Sequence, residues 1–216
     1  MWETMVLPGC ESAEEIERDA ERDAARLEQV ELALAYALGD ITALDKLRKS
    51  HKWGIIDSLV DRNSSTLREQ VTCWMVSRDL VGDRTKHGDD AVNVRTKQRV
   101  EVKPISINEG VKVKRGANFC DCTIKKLDGM KNHSVIHAAY DHRGQVIFVV
   151  EFPMMVIDGL LRKQVKDAED KHKKRCVAYF SWTNYDDDRL IVHLLITDAQ
   201  RHLSKNHYRM LRARQK

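Results

Sequence analysis

Apolar residues recur along this chain with two different periods. From Ile16 through Ala20, Ala24, Leu27, Leu34 and Leu38 they fall at helical spacing up to Gly39, and Ser12-Ala13-Glu14-Glu15 ahead of them has the form of a capping box. Thr42 to Lys49 and Ile55 to Val60 read as two shorter helices around His51-Lys52-Trp53-Gly54, and a stronger helix starts at Thr66 with Leu67, Val71, Trp74 and Met75 on one side. The period then changes to two. Ala91, Val92 and Val94 suit a strand, Thr96 to Gln98 make a polar reversal, and Val100 and Val102 alternate with Glu101 and Lys103, which predicts a hairpin. Ser134 to Asp141 and Gln145 to Phe152 form a second hairpin split by His142-Arg143-Gly144, and the apolar run Val146-Ile147-Phe148-Val149-Val150 predicts a strand buried on both faces. A short helix is expected over Thr123 to Met130. Pro153 introduces another, with Ile157, Leu160, Leu161, Val165 and Ala168 inward, and strands are expected over Cys176 to Trp182 and Arg189 to Ile196.

Composition narrows the setting. With 216 residues the chain can bury a full core, and one domain with a helical appendage is expected. No apolar run is long enough to span a membrane, and Met1 to Cys10 lacks the layout of a signal peptide, so the expectation is an intracellular, cytoplasmic protein without membrane association. Five cysteines without a framework spacing fit a reducing compartment, and Cys120-Asp121-Cys122 has no second pair to complete a zinc site. Charge is unevenly spread. Residues 1–40 hold eleven acids against three arginines, a net −8, so the remainder of a chain with net charge +4 carries +12, which suits a polyanionic partner. The acidic first helix must be covered by the rest of the chain or by a second copy, or it shields a basic site by mimicking DNA.

The chemistry concentrates in the first hairpin. Alternation places Glu101 and Lys103 on one face of the second strand, and Asp90 approaches them from the first. Two carboxylates beside a lysine make a hard, oxygen-rich site for Mg²⁺, with an ammonium to orient or deprotonate a water. Asp90 followed by Glu101-Val102-Lys103 resembles the PD-(D/E)XK nuclease superfamily, and the order helix, strand, strand, strand, helix, strand between Ser65 and Ile196 matches the core of those nucleases. The resemblance implies an α/β (α+β) restriction-endonuclease-like fold, a central mixed sheet flanked by helices. The nuclease core would span 65–198, after a helical region over 1–64 and before a basic tail over 199–216. Asp89 stands where the family often has proline, so either Asp89 or Asp90 can be the ligand; Asp90 is favoured because it sits directly against the apolar strand. A helix before the hairpin often brings one more acid to the metal in that family, and Glu69 is the acid placed to do so. Its rival role is to close a capping box with Thr66.

Nucleic-acid contacts are expected from Lys112, Lys114 and Arg115 in a glycine-flanked loop, Asn118, Lys125 and Lys126 beyond it, and Arg209 and Arg212 in the acid-free C-terminal segment. Each has a plainer alternative: a solvated surface, a core position for Phe119, a frayed terminus. Arg62 and Arg68 can touch phosphate, Glu151 can be a further acid near the site, and Asp186-Asp187-Asp188 reads as a cation site or only a soluble turn. The expected function is a Mg²⁺-dependent deoxyribonuclease, with Mn²⁺ as substitute, cutting double-stranded DNA as a homodimer of restriction-enzyme type. The alternatives are a catalytically silent DNA-binding protein on the same fold and a structure-selective or RNA-directed nuclease.

Overall fold

The most apolar hairpin is the spine of the structure. Strands β5 (Ser134–Tyr140) and β6 (Val146–Pro153) pair antiparallel, and every residue of both except Pro153 is buried, as the uninterrupted apolar run requires. Their turn is held by Asp141, whose Oδ1 accepts from the N–H groups of Arg143 and Gln145, with Gly144 at φ +82°. The structure is a computed structural model that describes residues 13–50, 54–60, 66–76, 79–80, 90–93, 95–113, 116–181 and 187–215, the side chains of 13–16, 19, 22, 23, 26, 79 and 80 excepted.

Strand β3 (Arg99–Ser106) lies parallel to β5, reached through a crossover that carries β4 (Asn118–Phe119) and helix α5 (Ile124–Gly129), capped by the Thr123 hydroxyl. Strands β2 (Ala91–Val92) and β1 (Asp79–Leu80) extend the sheet antiparallel on one side and β8 (Ile191–Leu195) on the other, so the order is β1-β2-β3-β5-β6-β8. The chain is therefore mixed α/β with a mixed sheet. In the β2–β3 turn, Asn93 Oδ1 accepts from the N–H groups of Arg95 and Thr96 and Lys97 adopts φ 58°, which makes the polar reversal expected from the sequence.

Each sheet face has its own core. Helices α1 (Ala13–Ala37), α2 (Ile41–Lys49), α3 (Gly54–Val60) and α4 (Thr66–Met75) supply Ala33, Ala37, Leu47, Leu59 and Val71, which pack with Val100, Val102 and Ile136. Helix α6 (Met155–Asp170) and helix α7 (Lys205–Arg214) close the other face with Ile157, Leu161, Val165 and Leu211 over Val135, Phe148 and Phe180. The N-terminal helices thus share a core with the sheet.

Four expectations need correction. The strand expected over Cys176 to Trp182 is two residues, β7 (Ala178–Tyr179), and it leaves the main sheet to pair with β4 as a separate ribbon. Gly116 makes that ribbon possible, because a Cβ there would lie 2.0 Å from the Phe180 carbonyl oxygen. The basic segment after 199 is not a tail: Ser204 caps α7, and Leu203 and Leu211 are buried. Helix α1 buries only its last turns, leaving Ala20, Ala24 and Leu27 exposed, as is Leu38 just beyond its end; Leu160 of α6 is also exposed. Ser12 and Asp186 lie outside the described residues.

Helix α4 is pinned to the sheet by one buried phenol. The Tyr140 hydroxyl contacts Thr72 Oγ1 at 2.8 Å and donates to the Arg68 carbonyl at 3.3 Å, while Arg68 itself is buried and donates to the Leu59 carbonyl at the end of α3. Arg68 is therefore a structural tie between helices, not a surface phosphate contact. Tyr140→Phe leaves Thr72 buried without its partner and is expected to lower unfolding free energy by about 1–3 kcal/mol. Urea denaturation tests this, and an unchanged midpoint would show that the phenol contributes nothing.

Candidate active site

Hairpin register brings three of the expected residues together. Ala91 pairs with Val100, so Asp90, one residue earlier, comes opposite Glu101, and its N–H donates to the Val100 carbonyl at 3.1 Å. Asp90 Oδ2 accepts from the Val102 N–H at 2.8 Å, which orients the carboxylate across the strand. Lys103 Nζ lies 2.5 Å from Glu101 Oε1 and 3.4 Å from Asp90 Oδ2. Since Val100 and Val102 fill the helical core behind β3, the alternation predicted from sequence holds: charge on one face, core on the other.

The pair is costly to hold. Glu101 is 3 % exposed, and its Oε2 accepts no hydrogen bond among the described residues. Burial raises its pKa above the ordinary carboxylate value; Lys103 opposes the shift and Asp90 reinforces it. Burial acts on the Lys103 ammonium in the opposite sense, yet the charges of Glu101, Asp90 and Glu69 outweigh it and leave the pKa raised. The same contact anchors the lysine without satisfying the glutamate, because one carboxylate oxygen has left water and gained no donor. Among the described residues Asp90 Oδ1 also takes no hydrogen bond, both going to Oδ2.

The surroundings place the remaining candidates. Glu69 sits in the first turn of α4, close enough for its charge to act on Lys103. Lys126 donates to the Cys120 carbonyl at 3.2 Å and its charge is felt at Glu101, so it belongs to the site's rim. Phe119 is buried with its ring centroid 5.4 Å from Lys103 Nζ, so it is core and the floor of the site. Asn118, Lys112 and Lys125 are exposed. Arg209 and Arg212 are on α7, which packs on β8, with β6 and β5 between that strand and β3; they are not brought to the site. Lys114, Arg115, Asp89 and Arg62 lie outside the described residues.

Other acids are committed elsewhere. Glu151 accepts from Ser134 Oγ and contacts His193 Nε2, each at 2.7 Å, and aligns with Ile136, whose side chain faces the helical core rather than the charged face. Asp187 takes both Nε and Nη2 of Arg189, which holds its pKa down at about 2, so the acidic turn is closed by its own arginine. Asp121 is paired with Arg175. No group of three or more His, Cys, Asp or Glu side chains able to hold a metal forms among the described residues.

One residue of the site escaped the sequence reading. His137 is fully buried on the charged side of the sheet, edge-on to Phe148 and Phe180, and its Nδ1 lies 2.8 Å from the Lys103 carbonyl. That oxygen only accepts, so Nδ1 carries the proton and fixes the neutral tautomer. Its only sequence signal is a polar residue inside an otherwise apolar strand, in register with Lys103. No protein-family model and no curated protein matches the chain.

Burial lowers the His137 pKa to about 4. Below about pH 6.5 the unfolded chain takes up a proton that the folded chain refuses, so stability falls as pH drops through this window, by on the order of 3 kcal/mol at its lower end. His137→Asn keeps a donor toward the Lys103 carbonyl and removes the titration. Its urea midpoint should therefore fall less between pH 7 and pH 4.5 than that of the parent; equal losses would put the acid sensitivity elsewhere.

Proposed function

We propose that this chain is a metal-dependent nuclease acting on DNA, with Asp90, Glu101 and Lys103 at its centre and Glu69 as an accessory acid. The observation that carries the reading is the buried, donor-less oxygen of Glu101 beside the open oxygen of Asp90. Carboxylate oxygens so placed are hard ligands that lack only a cation. Mg²⁺ is commonly held by one or two carboxylates with water and substrate phosphate completing its shell, so the absence of a three-residue cluster among the described residues does not conflict with it.

When bound, Mg²⁺ would polarise the scissile phosphate and lower the pKa of an attacking water. Asp90 and Glu101 would hold it, and Mn²⁺ would serve in its place. Lys103 remains charged in its pair with Glu101. It is therefore suited to fix the water by hydrogen bonding and to stabilise negative charge growing on the phosphate, rather than to start as a neutral base. Lys126 extends positive charge along the rim, and Lys112, Asn118 and Lys125 are exposed for backbone contacts. The positive balance of residues beyond 40 supports a polyanionic substrate. Cutting both strands requires two such sites, which two copies of the chain would supply.

The test is incubation of supercoiled plasmid with Mg²⁺, with Mn²⁺ and with excess chelator. Cleavage is expected with either metal and not with chelator. Asp90→Asn and Lys103→Ala should each reduce the rate at least about a hundredfold while plasmid binding persists, because the lost groups act on the reacting phosphate. Cleavage that survives chelator or either substitution would remove the proposed centre. Binding without cleavage under every metal condition would favour the catalytically silent reading.

A further inference from the structure

The β4–β7 ribbon has two different faces. Phe119 and Ala178 point inward to the floor of the site, whereas Asn118 and Tyr179, paired in register, point outward. Tyr179 is 56 % exposed, yet its backbone is firmly held. Gln164 of α6 donates from Nε2 to the Tyr179 carbonyl at 2.6 Å, and its Oε1 accepts from the Tyr179 N–H at 3.1 Å. An exposed aromatic on an immobilised backbone is a preorganised stacking surface.

Beside it lies a cavity of about 380 Å³ lined by Gln164, Asp167, Lys171, Lys173, Arg175 and Tyr179, among others. That volume falls in the ~300–1,000 Å³ range of small-ligand sites. Arg175 is engaged by Asp121, and Lys171 and Lys173 make no ion pair among the described residues, so two ammonium groups face one carboxylate, Asp167. Lysines after the end of α6 also complement its dipole, but that role explains neither the exposed ring nor the neighbouring Val177, itself exposed.

We propose that this cavity holds an unpaired nucleotide of the nucleic-acid substrate, its base stacked on Tyr179 and its phosphate between Lys171 and Lys173. The inference rests on the nuclease reading for the source of its ligand but not on catalysis. The carboxamide of Asn118, across the ribbon from Tyr179, offers both a donor and an acceptor to a base edge. The opposite face of the same ribbon carries Phe119 under Lys103, so one ribbon separates this cavity from the proposed centre and is shared by both. The surface thus favours substrates with a single-stranded segment, such as a flap, a gap or a frayed end.

The experiment is fluorescence anisotropy in chelator, where no cleavage occurs, with fluorescein-labelled oligo-dT and a blunt duplex of equal length. Tyr179→Ala should weaken oligo-dT binding about tenfold and duplex binding little, and Tyr179→Phe should restore the parent affinity. Lys171→Ala with Lys173→Ala should flatten the logarithmic salt slope on oligo-dT by about 0.7 for each phosphate left without its ammonium. Equal oligo-dT affinity for Tyr179→Ala and parent, a parallel weakening on duplex, or no oligo-dT binding by the parent would overturn the proposal. Failure of the nuclease reading looks different: Tyr179-dependent binding would remain while plasmid stayed intact with metal.

Discussion

The buried ion pair of Glu101 with Lys103 is the constraint around which the sheet is arranged. A carboxylate and an ammonium on the inner strand of a sheet are tolerated only if each finds partners, because desolvation of either charge costs several kcal/mol. Lys103 finds two carboxylates and an aromatic face. Asp90 finds a backbone N–H one strand away. Glu101 keeps a buried oxygen that accepts no hydrogen bond among the described residues. The fold therefore holds this oxygen in an unfavourable state, and it does so on a strand fixed on both edges and backed by helix α4. Such local frustration within a locally consistent frame is what a ligand-binding centre demands.

Much of this was legible in the sequence because it is local. The hairpin from Asp90 to Lys103 needs only period-two alternation and a polar reversal over Thr96 to Gln98, and both follow from residue type; that Asn93 Oδ1 ties the turn did not. Strand β6 announced itself through its apolar run. What was hidden depends on who packs against whom. His137 looks like any interruption of a strand until the parallel pairing with β3 sets it beside Lys103. Glu151 lies near the end of a strand, as Glu101 lies near the start of one, yet pairing parity sends the two to opposite faces. The ribbon of β4 and β7 joins segments far apart in sequence, each too short for a periodic signal. The arginines of α7 read as a tail because their charge pattern hides the few apolar residues that dock the helix.

Division of labour between the two faces also has an electrostatic side. The acidic helix α1 puts its last turns into the core behind β3, while the charged face of that strand lies toward Phe119 of the ribbon and Lys126 of α5.

Gln164 has a consequence for the company this protein keeps with itself. Antiparallel pairing with β4 uses the backbone groups of Ala178 and Phe180, which leaves those of Tyr179 directed outward, as on the free edge of any short ribbon. An edge that displays an unsatisfied N–H and C=O beside exposed Val177 and Tyr179 side chains invites a stray strand from another molecule. The carboxamide of Gln164 meets both groups at once, as an added peptide unit would, and so ends the ribbon chemically. Neither a carboxylate nor an ammonium at position 164 could do the same, since one lacks the donor and the other the acceptor. The smallest sheet in the molecule is thereby closed to aggregation by a single neutral side chain.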